Sequence, residues 1–199
     1  MLEKPCKAGW VEAITGGMFS GKTEELHRRL RLAQIARQKT QLFKPTLDCR
    51  YSDKNEAVSH NRNTFPATPF DHQNPGEILD LLEEDVQVVG ITEAQFCDFA
   101  RIMRLVEALS NRGLRVILDF LNQDAAGNPF GPAPYLLAVA DEITKLTAVC
   151  IQCGCVATRS QRISAGGERV KVGSTEDYEA RCNACFKPHV GGIKITDPE

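Results

Sequence analysis

The 199-residue sequence has no apolar run close to the ~20 residues that cross a bilayer as a helix, which excludes a helical membrane anchor among these residues. It also lacks a dominant charge. Lys and Arg number 24 against 26 Asp and Glu, and a net charge of -2 gives no electrostatic case for nucleic acid or an anionic membrane as partner. Residues 1–9 are polar and carry no apolar signal-peptide core, so the expected location is cytoplasmic. No internal repeat and no low-complexity segment interrupts the chain. What remains is ordinary for a globular protein: 42% hydrophobic and 25% charged residues, enough for one full domain with a small appendage.

One stretch is far from ordinary. Gly16-Gly17-Met18-Phe19-Ser20-Gly21-Lys22-Thr23 fits the phosphate-binding pattern G-x-x-x-x-G-K-[ST]. Small residues let backbone N–H groups curl around a phosphate, and the following helix adds its positive end. Lys22 is expected to reach the β and γ phosphates and Thr23 to face a magnesium ion. The alternative is a glycine-rich turn that binds nothing. The setting argues for the motif, since residues 10–15 read as a strand and Leu26, Leu30 and Ala33 recur at helical spacing from Lys22 to about Arg37.

Further along, residues 86–91 and 115–121 read as buried strands, and residues 143–149 as another. A helix is expected from near Asp98 to Asn111–Gly113, and a shorter one over 134–140. Strands alternating with helices imply a parallel sheet covered on both faces. Residues 46–73, rich in Asn, Asp, Ser, Thr and Pro, read as a long loop or irregular hairpin. A shift to cysteine- and glycine-rich sequence sets a domain boundary near residue 148.

Eight cysteines would suggest disulfides in a secreted protein, but their spacing argues for metal. Cys150-x-x-Cys153 and Cys182-x-x-Cys185, separated by 28 residues, form two turns that can complete a tetrahedron around zinc. Four protein ligands leave no open position, so the site is structural. Cys155 and His189 are alternative ligands, while Cys6, Cys49 and Cys97 read as ordinary thiols. A zinc-bearing tail can also bind nucleic acid, but here Arg159, Arg162, Arg169, Lys171 and Arg181 are offset by Glu168, Glu176, Asp177 and Glu179.

A P-loop enzyme needs a group to orient or deprotonate its nucleophile, at the C-terminal end of a sheet strand. Glu93, directly after the strand at 86–91, is the positional candidate; its other reading is a stabilising acid at a helix N-terminus. Taken together, the motifs resemble the cytosolic, zinc-containing (type II) thymidine kinase family over nearly the whole chain. The similar segments are the P-loop with its Met-Phe-Ser interior and Phe43-Lys44-Pro45 followed by Asp48-Cys49-Arg50-Tyr51. They continue with Val58-Ser59-His60, Glu93-Ala94-Gln95-Phe96, Asn128-Pro129-Phe130-Gly131, residues 145–150 leading into the first cysteine pair, and Tyr178 ahead of Cys182.

The resemblance implies a RecA-like P-loop α/β ATP-binding domain over 1–147, a small zinc-binding β domain with a base-gripping lasso over 148–192, and a tail over 193–199. It implies transfer of the γ-phosphoryl group of ATP to the 5′-hydroxyl of thymidine or deoxyuridine, giving dTMP for nucleotide salvage. Glu93 would be the base, with Lys22 and Arg50 balancing charge on the transferring group and residues Gly16 to Thr23 holding magnesium–ATP. Met18, Phe96, Leu121, Phe130, Val172, Gly173 and Tyr178 would surround thymidine. A homotetramer and feedback inhibition by dTTP are further implications.

Three residues depart from the family pattern. Thr92 stands where the family has Asp, Asn122 replaces the Asp of an L-D segment, and Ala125 replaces an aromatic residue. A missing charge-assisted contact costs roughly 1.5–3 kcal/mol, so weakened activity is one expectation. Asp119, unusual in an apolar strand, either compensates or sits at an edge. The readings that stay open beside thymidine kinase are a related deoxynucleoside kinase of altered preference or impaired catalysis, and a zinc-containing P-loop ATPase or nucleic-acid-binding module.

Overall fold

The computed structural model describes residues 9–47, 56–58, 64–164 and 177–188. In chain order the elements are β1 (Trp10–Gly16), α1 (Lys22–Ile35), β2 (Thr40–Thr46), β3 (Glu56–Val58), β4 (Thr64–Pro66), β5 (Thr68–Asp71), α2 (Ile78–Leu81), β6 (Val88–Ile91), α3 (Phe99–Asn111), β7 (Arg115–Leu121), α4 (Ala133–Val139) and β8 (Glu142–Leu146). Four short strands follow: β9 (Ala148–Val149), β10 (Val156–Ala157), β11 (Arg159–Arg162) and β12 (Tyr178–Arg181).

Six strands form one parallel sheet in the order β5-β2-β6-β7-β1-β8. Side-chain alternation divides its residues between two cores. On one face Leu26, Leu30 and Ala33 of α1 meet Ile14, Leu42, Val88 and Ile117. On the other, Ile102, Leu105 and Leu109 of α3 and Leu136 of α4 meet Val11, Val89, Ile91, Val116, Leu118 and Phe120. Each fully buried Leu or Ile contributes roughly 1.5–3 kcal/mol of transfer free energy. Helix α3 starts where the Asp98 carboxylate accepts the Arg101 N–H at 3.0 Å, a cap typically worth ~1 kcal/mol.

The same alternation directs Glu12 of β1 toward α1, where burial demands cationic partners. Arg29 of α1 supplies one at 2.6 Å, and Arg115 of β7 bonds both Glu12 oxygens at 2.5 and 3.0 Å. Arg29 also reaches Glu25, Glu142 and Thr144, which ties α1 to the far edge of the sheet.

Two readings of the sequence need correction. Residues 143–149 are two elements: β8 ends in the main sheet at Leu146, and β9 pairs antiparallel with β10. Residues 46–73 are not wholly loop or hairpin. An antiparallel β3–β4 hairpin lies inside the stretch, but β5 joins the main sheet parallel to β2. Pro69 is tolerated there because β5 is an edge strand with one neighbour. Among the described residues no helix is long and apolar enough to cross a membrane.

Candidate active site

The P-loop lies where β1 turns into α1, at the C-terminal ends of the sheet strands. Gly16 has φ 150°, and a Cβ there would fall 2.4 Å from the Leu146 carbonyl, so the turn requires glycine. Ser20 Oγ donates to the Gly17 carbonyl at 2.8 Å, and Lys22 Nζ donates to the same oxygen at 2.7 Å. The lysine is thus folded against its own loop. Burial lowers the pKa of its ammonium, while Asp119, Glu93 and Glu24 oppose that shift. Thr23 stands in the first turn of α1, whose free N–H groups favour anions.

The facing wall comes from β6 and β7. Their parallel register pairs Val88 with Arg115 and Ile91 with Leu118. One step further, Thr92 faces Asp119, and Thr92 Oγ1 donates to the Asp119 carboxylate, 3.0 and 3.1 Å from its two oxygens. Asp119 follows Ile117 on the face that α1 covers, so it points at the P-loop. It also accepts the Glu93 N–H at 2.9 Å and a hydrogen bond from the Thr23 side chain. Burial raises its pKa, against the pull of the Glu93 N–H, Lys22 and the two threonine hydroxyls.

Glu93 adopts φ 54°, the left-handed region that non-glycine residues rarely occupy. Burial raises its carboxyl pKa above the ordinary range; Lys44 and Lys22 oppose the rise, and Asp119 reinforces it. A turn over Ala94–Phe96 follows, in which the buried Gln95 accepts the Leu121 N–H at 3.1 Å through Oε1. Gly131, at φ 48°, lets the 122–131 loop press onto this turn, since a Cβ there would fall 2.5 Å from the Gln95 carbonyl.

Met18, Lys22, Thr23, Glu93, Gln95, Asp119 and Leu121 therefore line one cleft. Phe96 and Phe130 meet edge to face beside it, with centroids 5.4 Å apart and planes at 88°. Tyr178 is buried on β12, opposite Arg162, and does not line that cleft. Arg50, Val172 and Gly173 lie outside the described residues. Lys44, Gln95 and Asp119 received no firm role from the sequence. A charged residue inside an otherwise apolar strand was the signal for Asp119; for Lys44 and Gln95 there was none beyond their motifs.

The small β region packs against the P-loop. The Sγ atoms of Cys150, Cys153, Cys182 and Cys185 all lie within 4.8 Å of one another. Zinc–sulfur bonds of about 2.3 Å in a tetrahedron put sulfurs about 3.8 Å apart, so this cluster is compatible with structural zinc. Backbone N–H groups of Gln152, Cys153 and Cys182 point at the Cys150 sulfur, as a thiolate ligand requires. Cys155 is exposed and outside the cluster. The region touches the P-loop directly: Phe19 packs on the core around Cys150 and Cys182, and the Met18 N–H reaches Ser160.

A strand–loop–helix phosphate cradle facing two carboxylates, Asp119 buried and Glu93 half-buried, defines a P-loop α/β nucleotide-binding protein equipped for phosphoryl transfer. The sequence matches the family described as thymidine kinase over residues 9–186. It is 48% identical to a thymidine kinase of Rhodothermus sp. (strain ITI 518), over 90% of this chain and 82% of the relative. It is 47% identical to that of Bdellovibrio bacteriovorus, over 92% and 87%, and 46% identical to that of Porphyromonas gingivalis, over 91% and 86%. The chain belongs to the thymidine kinase family.

Proposed function

We propose that the protein is an ATP-dependent kinase that transfers the γ-phosphoryl group of ATP to the 5′-hydroxyl of thymidine, or of deoxyuridine, in nucleotide salvage. The observation that carries this is Glu93, a half-buried carboxylate held in a strained backbone conformation across one cleft from the P-loop lysine. The family and its relatives name the acceptor.

Glu93 takes the proton of the 5′-hydroxyl, directly or through a water. A pKa raised by burial moves this base toward the operating pH, where proton transfer is most efficient. Lys22 exchanges the Gly17 carbonyl for phosphate oxygens, and Arg50 joins it in balancing charge that spreads over the transferring group. Magnesium, when bound with ATP, neutralises phosphate charge, and Thr23 and Asp119 offer hard oxygen donors that fit it. Thymine is held among Met18, Leu121, Phe96 and Phe130, and by family likeness Val172 and Gly173 join in holding it; the aromatic contacts are worth about 1 kcal/mol each.

Zinc on the four cysteines is structural. The division at 147/148, the tail from residue 193, the cytoplasmic location, a homotetramer and inhibition by dTTP complete the reading by family likeness. The test is magnesium-dependent phosphorylation of thymidine by zinc-loaded protein, with the product identified by mass. Formation of dTMP that disappears in Glu93→Gln supports the reading. Comparable kcat/KM for deoxycytidine would redirect it to a kinase of altered preference. ATP turnover independent of any nucleoside would redirect it to an ATPase.

A further inference from the structure

We propose that Asp119 is the carboxylate through which this chain engages the divalent cation of its bound nucleotide, a role that residue 92, being threonine, cannot fill. The proposal rests on the phosphoryl-transfer reading above and names a residue for it.

The argument begins with burial. Asp119 is 2% exposed at the C-terminal end of a central strand, and an isolated carboxylate there is strongly disfavoured. Its partners are three neutral donors, namely Thr92 Oγ1, the Glu93 N–H and the Thr23 side chain, and one cation, Lys22. In the free chain Lys22 supplies the countercharge. Nucleotide binding draws Lys22 onto phosphate oxygens and brings more negative charge into the cleft, beside Glu93. The site then holds two carboxylates and a polyphosphate, more negative charge than Lys22 and Lys44 can offset, and a divalent cation beside Asp119 restores the balance. Thr23, the hydroxyl suited to that cation, is already hydrogen-bonded to Asp119.

Geometry also explains why Thr92 is tolerated. The β6–β7 register brings position 92 and position 119 side by side on the P-loop face, with Thr92 Oγ1 within 3.1 Å of both Asp119 oxygens. One carboxylate fits there, and in this chain β7 provides it. A second at position 92 would face Asp119 across hydrogen-bond distance, and two such carboxylates cannot both ionise. The charge that Thr92 lacks has moved one strand over. Asp119 also fixes the Glu93 N–H, so the same carboxylate sets the conformation of the base.

The experiment measures ADP affinity of the zinc-loaded full chain with Mg2+ and with EDTA, no nucleoside being present. For the native chain Mg2+ tightens binding. In Asp119→Asn, which keeps the volume and loses the charge, the Mg2+ enhancement, taken as the ratio of the two affinities of the same variant, falls about tenfold or more. The exchange Thr92→Asp with Asp119→Thr restores it, because the carboxylate returns to the same space from the neighbouring strand. An unchanged Mg2+ enhancement in Asp119→Asn overturns the proposal. If Asp119→Asn does not fold, the exchanged variant decides: restored enhancement supports the proposal, and a folded protein without it overturns the proposal. Native protein with Mg2+-dependent ADP binding but no phosphorylation of any nucleoside would overturn the kinase reading alone, leaving the result for Asp119 standing.

Discussion

Met18 and Ser160 join the phosphate cradle to the cysteine-bearing region: the Met18 N–H donates to Ser160 Oγ at 2.9 Å across 142 residues of sequence. Phe19, at φ 63°, packs on the core around Cys150 and Cys182. The P-loop is shaped partly by a region built around the four thiolates. Stripping zinc, or Cys182→Ser, therefore weakens nucleotide binding although no cysteine lines the cleft. The expected loss is about tenfold, from one hydrogen bond and part of one aromatic contact. Fluorescent ADP titration before and after chelation measures it, and unaltered affinity in metal-free, folded protein would contradict the coupling.

Glu93→Gln should lower kcat by about 10²–10⁴-fold while ATP still binds. Because burial raises the Glu93 pKa, the acidic limb of the native kcat/KM profile lies above the ordinary carboxylate range. Activity rises with pH through that limb, since the base works deprotonated. A pH–rate profile falling only near the usual Glu value would show that another group is titrating.

The same shift has a stability consequence of opposite sign. A carboxylate whose folded pKa exceeds its unfolded value destabilises the fold as pH rises between the two, because the unfolded chain gives up the proton first. Glu93→Gln removes that penalty. Its melting temperature should therefore exceed the native one at neutral pH, and the gap should close toward pH 4. Activity and stability are opposed at this residue.

Glu12 lies far from the cleft and serves the fold. Truncation to Ala leaves Arg29 and Arg115 without their shared partner and costs about 3–5 kcal/mol in urea unfolding. The KM for nucleoside should not move. A cost below about 1 kcal/mol would class the network as no stronger than a surface ion pair.

His27, buried on α1 against Phe65 with ring centroids 5.4 Å apart, has no hydrogen-bond partner on either ring nitrogen among the described residues. Burial lowers its pKa and Arg31 adds to that. The unfolded chain takes up a proton first as pH falls, so acid destabilises the fold through this group. His27→Leu should match or exceed native stability by about 1–2 kcal/mol near pH 6, with a smaller advantage at pH 8. Chemical denaturation at the two pH values tests the difference.

Local sequence is enough to specify the P-loop, helix α1, the central strands β1, β6 and β7, the cysteine quartet and the place of Glu93 just after β6. Each is written locally, as a spacing of glycines, a run of apolar residues, or paired C-x-x-C turns. Strands β2 and β5 were not legible, because Pro45, Pro69 and several threonines dilute their apolar pattern, and only pairing with neighbours makes them strands. The end of β8 was misread because apolar character runs on to Val149 while the pairing partner changes at Leu146. The pairing of Thr92 with Asp119 and of Met18 with Ser160 arises only in the folded chain. Residues 27 and 142 positions apart meet only through sheet register and the docking of the small β region, and neither leaves a mark in local sequence.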